Sequence, residues 1–455
     1  VGGMLRHLSS QGGIDAARLD DKYYNTSIDL NYGNRQKDYT WNTDLGYQNR
    51  VYNWYGLPLE YYQLDDQTIN NIDPAQTYHS FYIGGKIAAR DSFFRDTQAQ
   101  YKRFWDAYGS GENRFYIKPS LDIDVAEEKI KVNFVADYVG GSFEKDYYTG
   151  AGLDYNHFNL GVQPSILYQK GDISAQLGAG IFYSMGKLGG ESDNKFYIYP
   201  QVKASYKVVG DLMVAYAGAE GMLKQNSYAD FVDGNPFVSP TLYVTPTNQQ
   251  YDIYVGLKGK LANSVAYNIR GSYMNEDDHA FYLSNDPSLR LGELADENYT
   301  YGNSFGIIYD RLTTMSFFGE LKADFSKSVS FGIDGTYYSY STDQEEAWNL
   351  PQIKVGASLD IDITPKWYAG TNMFFVGERK DRILNTSILG GDIAYKTITL
   401  DNYFDLNAHL GYKYSERLTG FLKLNNILNQ DYQRWANYPV QGFQFLLGAS
   451  YKFNF

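Results

Sequence analysis

Phe443-Gln444-Phe445-Leu446-Leu447-Gly448-Ala449-Ser450-Tyr451-Lys452-Phe453-Asn454-Phe455 closes the chain. Phe443, Phe445, Leu447, Ala449, Tyr451, Phe453 and Phe455 are apolar or aromatic. The residues between them, apart from Leu446, are small or polar. A strand turns successive side chains to opposite sides, so this segment has one face suited to lipid and one suited to water. The same alternation returns along the chain from about residue 24. Ile130, Val132, Phe134, Ala136 and Tyr138 alternate with Lys131, Asn133 and Asp137. Val202, Ala204, Tyr206 and Val208 alternate with Gln201, Lys203, Ser205 and Lys207, and Phe404, Leu406, Ala408 and Leu410 with Asp405, Asn407 and His409. A soluble sandwich also alternates, but it rarely continues over so long a chain without a helix or a second kind of domain.

The connections fall into two classes. Short turns are expected at Ala126-Glu127-Glu128, Lys170-Gly171-Asp172, Val209-Gly210-Asp211, Ala262-Asn263, Ser326-Lys327-Ser328, Thr364-Pro365-Lys366 and Ser415-Glu416. Between them lie long polar segments spotted with aromatics, at 52–76, 226–248, 282–300, 342–349 and 380–396. Short turns at one end and long loops at the other are the pattern of a transmembrane barrel, with the short turns periplasmic and the long loops extracellular. The expected fold is therefore all-β, a transmembrane antiparallel meander β-barrel of about 20 strands, within a range of about 16 to 22. Residues 24–455 form the barrel. Residues 1–23 are the end of a truncated, ascending strand or an N-terminal extension, because an even strand number needs one strand more than residues 24–455 supply.

Composition agrees with a barrel. The 455 residues include 45 Tyr and 44 Gly but only 12 Pro and no Cys. Mean hydropathy is −0.46, polar for a membrane protein. A barrel resolves the conflict, because only one side of each strand meets lipid. No run approaches the roughly 18 apolar residues of a transmembrane helix. The net charge of −13 argues against a nucleic-acid partner. The chain opens Val1-Gly2-Gly3-Met4, without the basic and apolar regions of a secretory leader, and we expect a leader upstream.

No catalytic, cofactor or metal constellation is legible. His7, His79, His157, His279 and His409 are scattered, and there is no G-x-S-x-G, H-E-x-x-H or P-loop. The chain reads as no enzyme and as holding no cofactor. Aromatic pairs sit where strands meet loops: Trp54-Tyr55, Tyr147-Tyr148, Phe196-Tyr197, Tyr337-Tyr338, Trp367-Tyr368 and Trp435 with Tyr438. The favoured reading is two interfacial girdles, and the rival is a sugar-binding aromatic platform. The lumen-facing candidates are Lys131, Asn133, Asp137, Gln201, Lys203, Asp405 and His409. A barrel this wide cannot fill its lumen with wall side chains alone, so an upstream plug, inward-folded loops such as 226–248, or a partner protein is expected to occupy it.

The C-terminal region carries a resemblance. Asn425-Asn426-Ile427-Leu428-Asn429-Gln430-Asp431-Tyr432, then Tyr438-Pro439-Val440-Gln441-Gly442-Phe443, then the closing strand, resemble the end of a TonB-dependent receptor. In that family an N-L-F-N-x-x-Y run precedes a Y-P-x-P-G-R loop and a last strand ending in Phe. Here Ile427, Leu428 and Phe443 depart from the pattern. Tyr52-Asn53-Trp54-Tyr55-Gly56-Leu57-Pro58 further resembles Bacteroidetes-type receptors. The resemblance implies an outer-membrane barrel of a Gram-negative cell, surrounded by lipid and lipopolysaccharide and importing a large nutrient. It also implies a plug, not present in this chain, through which a TonB-type energiser acts, and it makes Tyr451, Phe453 and Phe455 an insertion signal. Two rivals stand beside it: a receptor-like structural subunit of an outer-membrane assembly or secretion complex, with surface or periplasmic lipoprotein partners, and a diffusion pore.

Overall fold

The computed structural model describes residues 1–90, 92–125, 128–287, 297–385 and 394–452. In chain order these form β1 (Gly2–Ser10), β2 (Tyr23–Arg35), β3 (Tyr39–Asn53), α1 (Asp66–Asn71), β4 (Ala75–Ala89), β5 (Phe94–Asp106), β6 (Gly111–Val125), β7 (Glu128–Phe143) and β8 (Leu153–Lys170). Then come β9 (Ile173–Leu188), β10 (Glu191–Val209), β11 (Met213–Lys224), α2 (Tyr228–Gly234), β12 (Thr247–Ala262), β13 (Val265–Ser284), β14 (Phe305–Ser326), β15 (Val329–Thr342), β16 (Ile353–Asp362) and β17 (Trp367–Val376). The chain closes with β18 (Arg379–Asn385), β19 (Ala394–Leu400), β20 (Tyr403–Lys413), β21 (Leu418–Asn425), β22 (Gln433–Trp435), β23 (Tyr438–Pro439) and β24 (Gln444–Tyr451).

Twenty of these strands, β1–β17 with β20, β21 and β24, make one antiparallel meander in which each pairs with the next along the chain. β18–β19 and β22–β23 are two small hairpins outside it. Segment 2–10, within the 1–23 stretch expected as the end of a truncated strand or an N-terminal extension, is the first strand of the sheet, in register with β2 from Gly2↔Asn31 to Ser10↔Tyr23. At the mouth the end of β1 meets the connection that leads into β24, where Ser10 Oγ donates to Gln441 Oε1 at 2.7 Å.

Nine connections at one end of the sheet are four residues or fewer. Gly171 and Gly210 take φ of +58° and +50° in two of them, a conformation glycine adopts without strain. Of the expected turns, Ala126 and Glu127 lie outside the described residues. The ten connections at the other end include segments 54–74, 225–246, 285–304, 377–402 and 426–443.

Residues opposed in register share a face. Phe134 opposes Val162, Val162 opposes Ile181 and Ile181 opposes Ile198, a row of apolar side chains running across four strands. This face is uncovered: Phe445 is 73% and Leu447 78% exposed. Such a continuous apolar surface on a folded chain is stable in lipid and not in water. The other face carries an opposed row of polar residues, Asp137, Asn159 and Ser184. Ser184 Oγ donates to Asn159 Oδ1 at 2.6 Å, and Asn159 Nδ2 donates to Gln225 Oε1 at 2.6 Å, joining the wall to the first residue of segment 225–246.

Candidate functional site

Segment 225–246 alternates apolar and polar residues too irregularly for a strand, and it folds back into the barrel. Ser227 caps α2 by accepting from Asp230 N, and Tyr228, Ala229, Phe231 and Val232 are buried. On one side the Tyr228 ring meets Phe104 of β5 at 5.1 Å and Phe143 of β7 at 5.0 Å. On the other, the Phe231 ring lies 6.2 Å from Tyr282 of β13, and the Phe237 ring stacks on Tyr438 at 3.7 Å. One segment reaches strands so far apart in the sheet only from inside its curve. Val238 and Val244 are fully buried there, as is Phe305 of β14.

Polar contacts hold this cap. Glu112, at the start of β6, is buried and accepts from Tyr155 Oη at 2.6 Å, Tyr228 N at 2.6 Å and Ala229 N at 3.3 Å. It thus satisfies N–H groups that a helix start leaves open. The Tyr228 hydroxyl donates to Asp106 at 2.7 Å, and Tyr78 Oη donates to Pro236 O at 2.9 Å. Wall cations face the carboxylates of α2. Arg50, with its side chain 9% exposed, pairs with Asp233 at 2.7 Å, and Lys102 stands 3.9 Å from the same group. Arg114 pairs with Asp230 at 2.9 Å while gripping Asp137 through Nε and Nη2 at 3.1 and 3.0 Å. His157, in β8, sets Nε2 2.8 Å from Val244 O.

A second layer of loops lies over the mouth. Trp54, Tyr147 and Tyr299 form a buried aromatic cluster, joined by Tyr108. Asn303 Nδ2 donates to Trp54 O at 3.0 Å, and the buried Asp381 of β18 accepts from Ser284 N and Oγ and from Asn349 Nδ2. These contacts correct the girdle reading for Trp54-Tyr55, Tyr147 and Trp435 with Tyr438. Their rings are core residues of the cap, because the loops bring them together in a space the barrel wall cannot fill. Phe196, Tyr337 and Trp367 do lie exposed on the outer face.

The expected lumen residues divide by height. Asp137 is buried against Arg114, under the cap. Gln201 Nε2 donates to Gly221 O at 2.6 Å, and Lys203 pairs with Glu220 at 2.5 Å. Asp405 accepts from Tyr432 Oη at 3.2 Å. The Tyr432 phenol is pushed up by burial and by Asp405 beside it, so it remains a donor. His409 stands 6.0 Å, ring to ring, from Tyr368. Lys131 and Asn133 are half-buried toward the short-turn end of β7. Tyr451 is exposed on the outer face. Phe453 and Phe455 lie outside the described residues. The cap residues Arg50, Glu112, Arg114, Asp230 and Asp233 were not singled out in the sequence. The available signal was Asp230 and Asp233 three apart, interleaved with Tyr228, Phe231 and Val232, which marks a short amphipathic turn inside a supposed loop.

Beneath the cap lies a chamber of ≈ 570 Å³. Tyr52, Phe237 and Trp435 wall it, with Arg50, Asp233 and Asp405 among its polar lining.

A twenty-stranded meander, apolar outside and polar within, with short turns at one end and a loop-built cap at the other, has the fold of a transmembrane β-barrel. Solved structures agree. The chain matches the ferripyoverdine receptor of the outer membrane of Pseudomonas aeruginosa with a TM-score of 0.66 at 12% identity, over 95% of this chain and 65% of that one. It matches the siderophore receptor PirA from Acinetobacter baumannii with a TM-score of 0.66 at 12% identity, over 96% of this chain and 72% of that one. It matches the FrpB iron transporter from Neisseria meningitidis with a TM-score of 0.66 at 11% identity, over 98% of this chain and 74% of that one. At such identities the likeness is one of fold. The chain spans about two thirds (65%) of the length of the ferripyoverdine receptor. No family model and no curated protein matches the sequence.

Proposed function

We propose that this barrel belongs to a receptor that imports a bulky polar nutrient, with the α2 segment as its gate. The observation that carries this reading is the ionic latch: Arg50, Lys102 and Arg114 on the wall hold Asp230 and Asp233 on the segment that blocks the mouth. Ion pairs can be exchanged for a ligand's own polar groups at small net cost, whereas a purely apolar seal offers a polar cargo nothing. The structural neighbours are named as siderophore receptors and an iron transporter, which supports import as the general activity. The resemblance at the C-terminus adds a TonB-type energiser, acting through a plug, as the partner that would open the latch.

A receptor-like structural subunit is the second reading, and the apolar core of the cap favours it, since a permanent seal needs no release. Planar-bilayer recordings separate the possibilities. Wild type should show little conductance, and the Asp230→Asn, Asp233→Asn double variant should open in large steps. A variant as silent as wild type would turn the choice toward the structural subunit. Large, steady conductance from wild type would make the chain a diffusion pore.

A further inference from the structure

β1 and β24 are the two ends of the meander, and each has one free edge. Among the described residues β1 pairs only with β2, and β24 only with β21. Exposure agrees: from Gly3 to Ser9 every residue of β1 is exposed on whichever face it lies, as expected of a strand with a neighbour on one side. Water tolerates a row of free N–H and C=O groups. Hydrocarbon does not, because nothing there replaces the lost hydrogen bonds. In a membrane these two edges must find strand partners.

Their geometry makes them partners for each other. β1 runs from the short-turn end to the mouth and β24 runs back from it, so the two are antiparallel, with nine and eight residues. At the mouth Gln441 Oε1 accepts from both Ser10 Oγ and Gln444 Nε2. This clasp sets the last residue of β1 level with the first of β24. Counting down from it brings Leu8 opposite Leu446 on the inner face, and His7 opposite Leu447 and Leu5 opposite Ala449 on the outer one. Leu8 is inward because Asn25 opposes it and Arg50, which reaches Asp233 of α2, opposes Asn25. Leu446 is inward with Lys423 and His409, its neighbours in register. Leu446 is the residue that breaks the alternation of the closing segment, and Leu8 is 43% exposed. Both are misplaced on a wet wall until they cover one another. A slip by one residue would set Leu8 against an outer-face residue instead.

We propose that β1 and β24 form a lateral gate. Zipped with Ser10 opposite Gln444, they close the wall. Unzipped below the Gln441 clasp, they open the lumen sideways to the bilayer. The foot of β1 is Gly2-Gly3, which offers a partner strand no side chains, so the zip is weakest where the gate swings. Met4 and Phe421 stand on the same inner stretch as the two leucines, with Arg6 and Lys423 between them. That mixture of apolar and cationic side chains suits an amphipathic molecule arriving from lipid, not a polar cargo arriving at the mouth. The seam shares no residue with the α2 latch and does not depend on it.

The chain has no Cys, so cysteines can be placed at will. Opposed residues of an antiparallel pair stand about 4.5–5.5 Å apart between Cα atoms, inside the span of about 4.4–6.8 Å that a disulfide bridges. In isolated outer membranes, the Leu8→Cys, Leu446→Cys pair should form a disulfide on mild oxidation, and the off-register Arg6→Cys, Leu446→Cys pair should not. The open state is read with N-hexadecylmaleimide, which is confined to the bilayer. It should alkylate the single variant Leu8→Cys, an inner-face position that lipid reaches only through the seam, and leave Asn133→Cys, on the inner wall of β7, unlabelled. Heat-modifiable migration confirms that each variant has folded. Absence of the Leu8–Leu446 disulfide in folded protein would overturn the proposal, since the edges then never meet. Equal crosslinking of the off-register pair would refute the register. A disulfide without alkylation of Leu8→Cys would make the seam a permanent wall and not a gate.

Discussion

Glu112 illustrates how one side chain can hold a cap in place. Its two oxygens serve a phenol and two backbone N–H groups, all buried. Truncation would strand those donors without water, which is costlier than losing the bonds themselves. We expect Glu112→Ala to destabilise the docked cap by roughly 3 kcal/mol or more. Glu112→Gln keeps one acceptor oxygen and should cost less. Limited proteolysis within 225–246 on intact cells checks both, and equal protection of Glu112→Ala and wild type would show that the apolar contacts suffice. Gln225 and Asn159 show the same economy, since one amide contact ties the start of the segment to the wall. Nothing in the local sequence marks Glu112 out, because a glutamate on the wet face of a strand reads as solvated until the partner from 116 residues away arrives.

At the level of elements, the strand faces are the most exacting statement. Val132 opposes Leu121 and Pro164 on the outer face, whereas Asn133 opposes Ser120 and Gln163 on the inner one. Val132→Arg should therefore destabilise the barrel in a bilayer, by at most the roughly 2–4 kcal/mol of an Arg at the midplane, while Asn133→Arg should be tolerated. Similar unfolding midpoints for the two would mean the register is slipped by one residue, which exchanges faces completely. The β18–β19 hairpin stands outside the sheet and is pinned by Asp381. Burial pushes the Asp381 carboxyl above its ordinary value, although Asn349, Arg382 and Ser284 pull it back through hydrogen bonds. A carboxyl with a raised folded pKa binds its proton more tightly in the docked state. Docking is then most stable at low pH and weakens as pH climbs from the ordinary value of about 4 through the raised one. Proteolysis of the hairpin should accelerate across that window in wild type and lose its pH dependence in Asp381→Asn. An unchanged rate in wild type would show that its four donors cancel the burial.

For the whole molecule, the outer face of the last described strand bears on assembly. Tyr451 lies on the lipid face in register with Leu418. We expect Tyr451→Asp with Phe453→Asp, or deletion of Phe455, to abolish surface display. A buried Asp costs less than the roughly 2–4 kcal/mol of Arg or Lys at the bilayer midplane, so the expected defect lies in recognition by the insertion machinery more than in stability. Normal display of the double variant, measured by surface labelling, would refute this. The mouth adds a second property at this scale: the cap is made by the chain's own loops, with residues from β3 to the β21–β24 connection meeting in one core.

The strand-and-turn plan was legible in the sequence because it depends on neighbours. Alternation with period two sets each residue's side, and Gly-containing turns such as Lys170-Gly171-Asp172 set where strands reverse. Asp137, Lys203 and Asp405 could be placed on the wet face for the same reason. Their partners could not be. Arg114 and Asp137 pair across adjacent strands, but Asp230 joins them from a segment that composition presents as an exposed loop. Trp54, Tyr147 and Tyr438 read as membrane-interface aromatics, since a ring's sequence neighbourhood is the same whether headgroups or other rings surround it. Local covalent order determines which way a side chain points. What it meets there is decided by closure of a wide sheet, which leaves an interior that loops distant in sequence can enter and whose buried polar groups only those loops can pair.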